Sequence, residues 1–375
     1  MDNKKITIIH FVHTLFGGVA NVAASLMNYQ NSIGYKPVLV YCVYDAAIES
    51  QLDFTVEKIE CQMRGFPGES MMFGMQIERI YNSYKKAHPD EIVVVHAHNV
   101  QTVGAFCNLK NIPMICTLHG FNAANKSKRK IASDFLYRTT INKLLKYNKK
   151  ITAVSKAIME AEELKSIKGA EKINVIHNFS EVNPENKKEH TLFNIGHVGD
   201  LSYEKGWDTF WKAYHLMPTE YKEKIRLMSA GREMDYSAEW IKEQTKDMPY
   251  AENIVYSGYV KNAKEDFISD LDILVLASRN EGLGLVQIEA MGYGVPVLGR
   301  DTGGICEVLS DGYNGFVIED EQELCERFML LFDDKQLYGT LSENATETYK
   351  TKFTKNVIIE KYDNVYNQVL ENLTK

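Results

Sequence analysis

Two carboxylates, Glu281 and Glu289, stand with seven residues between them in the run Glu281-Gly282-Leu283-Gly284-Leu285-Val286-Gln287-Ile288-Glu289. The glycines fall where a strand over Ile273–Ala277 would turn into a helix over about Leu285–Tyr293, which Gly294 ends and Pro296 keeps from continuing. A helix start exposes unpaired N–H groups and the positive end of its dipole, and glycines there let an anion approach closely. A diphosphate suits such a turn. Glu281, in the loop, would reach a group just beyond the phosphates. Glu289, about one turn into the helix, could hold a vicinal diol such as a ribose, because a carboxylate accepts two hydrogen bonds. Taken singly, a solvated loop glutamate and a glutamate that complements the helix dipole account for the same two positions.

The longer string carries more information. E-G-L-G-L-V-x-x-E-A-M-x-x-G-x-P-V followed by G-G-x-x-E-V, within Leu274–Ile318, resembles the donor site of the retaining GT-B glycosyltransferases of family GT4. The resemblance implies that Glu281 contacts sugar hydroxyls, that Glu289 holds the nucleotide ribose, and that N–H groups of the Gly284-Leu285-Val286 turn cradle the diphosphate. A second segment, Val198-Gly199-Asp200-Leu201-Ser202-Tyr203-Glu204-Lys205-Gly206, is similar to the family's G-R-L-x-x-x-K-G. It gives Lys205 the task of neutralising the diphosphate, which suits a compact ammonium. Asp200 departs from the family, which usually carries Arg there. Three readings stay open: another cation substitutes, the donor sits differently, or activity is impaired. Asp200 itself would then bind a donor hydroxyl or orient Lys205.

In the first half, the strand Ile6–Val12 runs into Gly17-Gly18 at a helix start, where the resemblance places donor phosphate and acceptor. Strand Pro113–Leu118 ends in His119-Gly120, and His119 matches the family histidine that lines the cleft near the reacting carbon. His96 and His98 share one side of a strand end, but no third metal ligand is evident nearby, so no metal is expected. Asp270-Leu271-Asp272 spells D-x-D, yet it closes a helix and opens a strand, which favours a structural use.

These residues need strands and helices to hold them. Apolar β-branched runs bounded by Gly and Pro alternate with amphipathic segments such as Asn21–Ile33 and Asp208–His215. Further strands are expected at Pro37–Val43, Ile92–His96, Ile151–Val154, Phe193–Val198, Ile225–Ala230, Asn253–Ser257, Val295–Leu298 and Gly315–Ile318. This is the pattern of parallel, doubly wound α/β sheets. At 375 residues two domains are the default. The polar, Pro-containing stretch Glu181–Thr191 marks the break, giving an N-terminal Rossmann-like acceptor domain over 1–180 and a donor domain over 181–354. The resemblance implies a GT-B arrangement, with two such domains facing each other across a cleft. It also implies that the terminal amphipathic helix, 355–375, crosses back to the first domain.

The formal charge of −7 argues against a general nucleic-acid coat. It conceals a stripe, Lys126–Lys150, with nine basic residues and one acidic, so that the remaining chain carries −15. Ile131, Phe135, Leu136, Ile141, Leu144 and Leu145 interleave at roughly helical spacing, a pattern of helices that lie on anionic lipid. A solvated helix packing through its apolar stripe fits the same spacing. The six cysteines form no C-x-x-C pair and read as reduced, mostly buried thiols. With no signal peptide and no spanning helix evident, the expected place is the cytoplasm, peripheral on the inner face of the plasma membrane. Thr14-Leu15-Phe16-Gly17-Gly18 fails the G-x-G-x-x-G pattern of a dinucleotide oxidoreductase. The resemblance implies transfer of a hexose, or an N-acetylated or deoxy variant, from a nucleotide sugar, with UDP as the family's usual nucleotide. The expected acceptor is a lipid-linked glycan or glycolipid of a bacterial surface polysaccharide, and no cofactor is required. A nucleotide-sugar binding protein without efficient transfer is the alternative.

Overall fold

The computed structural model describes residues 5–15, 17–44, 48, 51–61, 69–99, 107–120, 128–165 and 167–374. The chain forms two compact units. Unit 1 is Met1–Asn178 together with Ile358–Lys375, and unit 2 is Phe179–Val357. The break lies two residues before the expected one at 180/181.

Unit 1 contains β1 (Ile6–Phe11), α1 (Gly18–Ser32), β2 (Lys36–Tyr41), β3 (Glu57–Glu60), α2 (Glu69–Ala87), β4 (Ile92–His98) and β5 (Met114–Leu118). It continues through α3 (Lys128–Lys146), β6 (Lys150–Ala153), α4 (Lys156–Glu160), α5 (Glu162–Lys165) and β7 (Asn174–Val175). The strands form a parallel sheet in the order β3-β2-β1-β4-β5-β6-β7. β1, β4 and β5 are buried almost throughout, as runs covered on both faces must be. β3 and β7 are additions to the expected strands. β3 reads Glu-Lys-Ile-Glu at the sheet edge with three of its four residues exposed, so it carries no apolar signal, and β7 is two residues long.

Unit 2 contains β8 (Phe193–Val198), α6 (Trp207–Leu216), α7 (Thr219–Lys222), β9 (Ile225–Ala230), α8 (Ala238–Thr245), β10 (Ile254–Tyr256) and α9 (Ala263–Asp266). There follow β11 (Ile273–Leu276), α10 (Leu285–Gly292), β12 (Val297–Arg300), β13 (Gly315–Ile318), α11 (Glu321–Asp333) and α12 (Lys335–Lys352). Its parallel sheet runs β10-β9-β8-β11-β12-β13. Trp207, Phe210, Trp211 and Tyr214 of α6 pack with Phe328 of α11 into one buried cluster over this sheet. The last helix, α13 (Lys355–Thr374), joins unit 1 from Ile358 onward.

In each sheet the strand order reverses beside the first strand, at β1/β4 and at β8/β11. In open α/β sheets these switch points bring loops and helix N-termini together at the strand C-termini, which is where ligands bind. The boundary stretch Glu181–Thr191 is fastened to unit 2. Lys188 N donates to Ser269 O (3.0 Å), and Lys187 Nζ donates to Leu271 O. Asp270 and Asp272 serve that framework too, since Asn194 donates its backbone N to Asp272 Oδ2 (2.8 Å) and its Nδ2 to Asp270 O (2.7 Å).

Candidate active site

In unit 2, β11 runs into the loop that holds Ser278, Glu281 and Gly284. Gly284 caps α10 at φ +80°, in the left-handed region, and a Cβ there would sit 2.8 Å from Leu276 Cδ2 and 3.4 Å from Glu281 Cγ. Glycine is thus required by both backbone and space. No side chain caps α10, so the N–H groups at the start formed by Leu285 and Val286 keep the anion-binding character expected of them.

Glu281 is met here by Lys205, which comes from the turn between β8 and α6. Nζ lies 2.8 Å from Glu281 Oε2, and Ser278 Oγ donates to the same oxygen at 3.3 Å. The structure therefore brings the two sequence-predicted residues together as one ion pair. Arg279 in the same loop is consumed elsewhere: it forks onto Asp208 (2.7 and 3.0 Å) and stacks on Tyr203 at 3.6 Å. This fastens the loop to α6.

Glu289 lies one turn into α10 and is buried, where Ser180 Oγ donates to its Oε1 at 3.1 Å. Desolvation pushes its carboxyl up to about 7, against the opposing pull of Lys264 and the Ser180 hydrogen bond. A carboxyl in this state changes charge close to neutrality.

Asp200 pairs with a different cation. Its carboxylate is forked by Arg232, with Nε at 2.9 Å and Nη2 at 2.7 Å. The pair exists because the tips of β8 and β9 touch: Gly199 N donates to Ala230 O, Leu201 N donates to Arg232 O, and a Cβ on Gly231 would lie 1.8 Å from Gly199 O. Arg232 thus stands beside the position where the family pattern has its own Arg. Its only sequence signal is a glycine-cation pair directly after a strand.

Unit 1 holds a second cluster. β1, β4 and β5 place His10, His96, His98 and His119 in hydrogen-bonded sequence. His10 Nδ1 is 3.1 Å from His98 Nε2, and His98 Nδ1 is 3.0 Å from His119 Nε2. At the far end His10 Nε2 meets Gln30 Oε1 at 2.7 Å, and Gln30 Nε2 donates to Tyr366 Oη at 2.8 Å. Tyr366 Oη also contacts His96 Nδ1 (2.6 Å), whose Nε2 faces Thr117 Oγ1 (2.7 Å). Burial pushes His10 down to about 4 and His119 to about 3, and holds His96 and His98 well below the ordinary imidazole range. All four imidazoles are therefore neutral at physiological pH. The third metal-capable histidine that sequence did not reveal is His10, brought across the sheet by β1; the ligand atoms of His10, His96 and His98 lie within 4.8 Å of one another. Gln30 and Tyr366 were equally invisible, because only tertiary packing brings α1 and α13 to this point. Gly17 and Gly18 are exposed at the uncapped start of α1, with Gly17 at φ +76°.

The basic stripe is partly committed to structure. Lys149 Nζ donates to Ile112 O (2.7 Å) and Lys110 O (3.1 Å), and Lys150 Nζ donates to Gln368 Oε1 (2.6 Å). Ile141 and Leu144 of α3 are buried, whereas Phe135 is 68% exposed rather than part of a packed stripe. Lys126 and the side chains of Lys128, Arg129, Lys130 and Ile131 lie outside the described residues. Five of the six cysteines are buried free thiols and Cys306 is exposed. Among the described residues no helix is long and apolar enough to cross a membrane.

Residues 178–348 match the family described as glycosyl transferases group 1, and residues 16–183 match Glycosyltransferase Family 4. An uncharacterized glycosyltransferase of Methanocaldococcus jannaschii is 30% identical over 292 residues, 74% of this chain and 77% of that protein. The N-acetyl-alpha-D-glucosaminyl L-malate synthase of Bacillus anthracis is 26% identical over 275 residues, 70% of this chain and 69% of that protein. The crystal structure of Anabaena HepE in complex with UDP and glucose superposes with a TM-score of 0.72 over 98% of this chain and 99% of that one, at 20% identity. At that identity the likeness speaks to fold, and the fold is GT-B. The chain belongs to the GT4-type glycosyltransferases.

Proposed function

We propose that this enzyme transfers a hexose or N-acetylhexosamine from a UDP-sugar, with retention of anomeric configuration and without a metal, to a lipid-linked glycan or glycolipid. The observation that carries the donor half is the Lys205–Glu281 pair beside the Gly284 turn at the start of α10. Both groups are only partly exposed, so each is held by the other until a ligand arrives. A diphosphate competes for the Lys205 ammonium and the α10 N–H groups, and the released Glu281 carboxylate accepts from sugar hydroxyls. Arg232 supplies a second cation, and Glu289 accepts from the ribose diol. UDP and glucose in the HepE complex and the N-acetylglucosaminyl product named for the B. anthracis relative support the donor class.

As the C1–O bond to the diphosphate breaks, the acceptor oxygen forms its bond to C1 on the same face, and the acceptor proton passes to the departing phosphate oxygen. Lys205, Arg232 and the helix start stabilise the charge that develops there. No enzyme nucleophile takes part. The lipid-linked acceptor and peripheral placement on the inner membrane face rest on α3, where Phe135 is exposed on a basic helix. The reading of a binding protein without transfer drew on Asp200; the fork from Arg232 restores a cation at that spot and weakens it.

The test is enzyme-dependent hydrolysis across a panel of nucleotide sugars in EDTA, which names the donor before the acceptor is known. One UDP-sugar should be hydrolysed by the wild type. Lys205→Ala and Glu281→Ala should each reduce the rate at least 100-fold while circular dichroism stays unchanged. Near-wild-type rates in both variants, or strict dependence on added divalent metal, would sink the assignment.

A further inference from the structure

Three buried histidines and the half-buried His119 have hydrogen-bond partners on nearly every nitrogen, and each contact admits one proton. Gln30 donates from Nε2 to Tyr366 Oη, so the Tyr366 proton goes to His96 Nδ1. His96 is then the Nε2–H tautomer and donates to Thr117 Oγ1, which also shares a hydrogen bond of 2.8 Å with Thr152 Oγ1. On its other side Gln30 presents Oε1 to His10, which must donate from Nε2 and keep Nδ1 bare. His98 must then donate from Nε2 to His10 Nδ1, and His119 from Nε2 to His98 Nδ1. One amide orientation thus sets four tautomers. The chain also has a dead end: an amide oxygen does not pass a proton on, so these contacts orient rather than conduct.

We propose that Tyr366, Gln30, His10 and His98 are positioning residues that fix His119 as its Nε2–H tautomer, leaving Nδ1 as a hydrogen-bond acceptor that orients the incoming glycosyl acceptor through one of its non-reacting hydroxyls. The last clause rests on the function proposed above; the tautomer itself does not. The same histidines could in principle ligate a metal, but a cation among His10, His96 and His98 would have to displace the protons that tie them to Gln30, Tyr366, Thr117 and each other. An interior network with its polar atoms mutually satisfied loses those bonds only at considerable cost.

Long-range ¹H–¹⁵N correlation spectra of the imidazoles in the intact, ligand-free protein at neutral pH read this directly. Each of the four histidines should appear as a neutral Nε2–H tautomer. Gln30→Glu puts an acceptor-only group in the middle of the chain. It should turn His96 to Nδ1–H, because Tyr366 now donates to the carboxylate, while His10, His98 and His119 keep theirs. Gln30→Met removes the anchor. It should populate Nδ1–H at His119 and lower kcat about tenfold at unchanged KM for the donor. Nδ1–H or doubly protonated His119 in the wild type overturns the proposal. So does an unchanged His119 tautomer in Gln30→Met, or uptake of one Co²⁺ per chain that broadens the His10, His96 and His98 resonances. Because the wild-type spectrum decides the tautomer by itself, failure of the glycosyltransfer reading would leave that result standing.

Discussion

Replacing Glu289 by Gln should make unit 2 more stable and the enzyme worse at binding UDP, and both effects should depend on pH in a defined way. The carboxyl ionises ordinarily near 4.5 and in the folded chain at about 7, because it is buried on α10 with Ser180 as its hydrogen-bond donor. A group whose folded pKa is raised favours the native state fully below the unfolded value and loses that contribution as pH rises through the folded one. Between pH 4.5 and pH 7, at about 1.4 kcal/mol per pH unit, the loss amounts to about 3 kcal/mol. Gln keeps the acceptor for Ser180 and has no charge to desolvate. Unit 2 contains every tryptophan of the chain (Trp207, Trp211 and Trp240), so urea unfolding followed by tryptophan fluorescence reports on that unit. Wild type and Glu289→Gln should be nearly equal at pH 5 and diverge by about 3 kcal/mol, in favour of the variant, at pH 8. UDP titrations should show the opposite ranking at pH 8, with the variant weaker by about 10- to 100-fold, the scale of a lost hydrogen bond to a charged acceptor. Wild-type affinity should decline as pH drops below 7, because a proton on Glu289 removes one of its acceptor sites. Parallel stability curves for the two proteins from pH 5 to pH 8 would refute the reasoning, since Glu289 would then not change its charge in that window.

Arg232→Ala should weaken UDP binding by more than tenfold in calorimetric titration. Unfolding should shift by under about 1 kcal/mol, because the pair with Asp200 is partly exposed and screened by solvent. Adding Asp200→Ala to that variant should recover part of the affinity by removing the stranded anion, and no loss in Arg232→Ala would exclude Arg232 from the donor site. For α3, sedimentation with anionic vesicles at low salt should carry the wild type down. Phe135→Asp, or Glu in place of Lys128, Arg129 and Lys130, should leave it in the supernatant; no wild-type binding at low salt, or binding unchanged in these variants, would remove the membrane reading.

The residues of the candidate donor site were legible in sequence because they are local. The turn from β11 into α10 supplies Glu281, Gly284 and Glu289 within nine residues, and the β8–α6 turn supplies Lys205 within eight of the strand end. What sequence could not give was the pairing. Lys205 meets Glu281 only because β8 and β11 are neighbours at the switch point, and Arg232 meets Asp200 only because β8 and β9 are neighbours on the other side. The histidine network was half visible for the same reason. His96 and His98 share β4, but His10 arrives from β1, Gln30 from α1 and Tyr366 from the end of the chain, 336 residues from Gln30. β3 was missed because an exposed edge strand needs no apolar run, and the partners of Lys149 and Lys150 were invisible because a basic side chain pinned to carbonyl oxygens looks, in sequence, like any other lysine.

The Asp200 departure takes on a physical sense from these pairings. With Arg at position 200, the site would hold an unbalanced guanidinium beside Lys205–Glu281. With Asp200 and Arg232 instead, both cations of the site begin as members of neutral pairs. On the proposed assignment, a diphosphate must draw Lys205 from Glu281 and Arg232 from Asp200, and each freed carboxylate then needs a new donor. Water serves Asp200, which is partly exposed. Glu281 is only 16% exposed, and Ser278 satisfies one of its oxygens, so on this assignment the sugar hydroxyls supply the remaining donors. A free nucleoside diphosphate takes the cation and leaves Glu281 poorly satisfied, whereas the intact nucleotide sugar satisfies both. Neutral pairing would therefore set substrate against product: it lowers affinity for UDP more than for the UDP-sugar, and so favours product release.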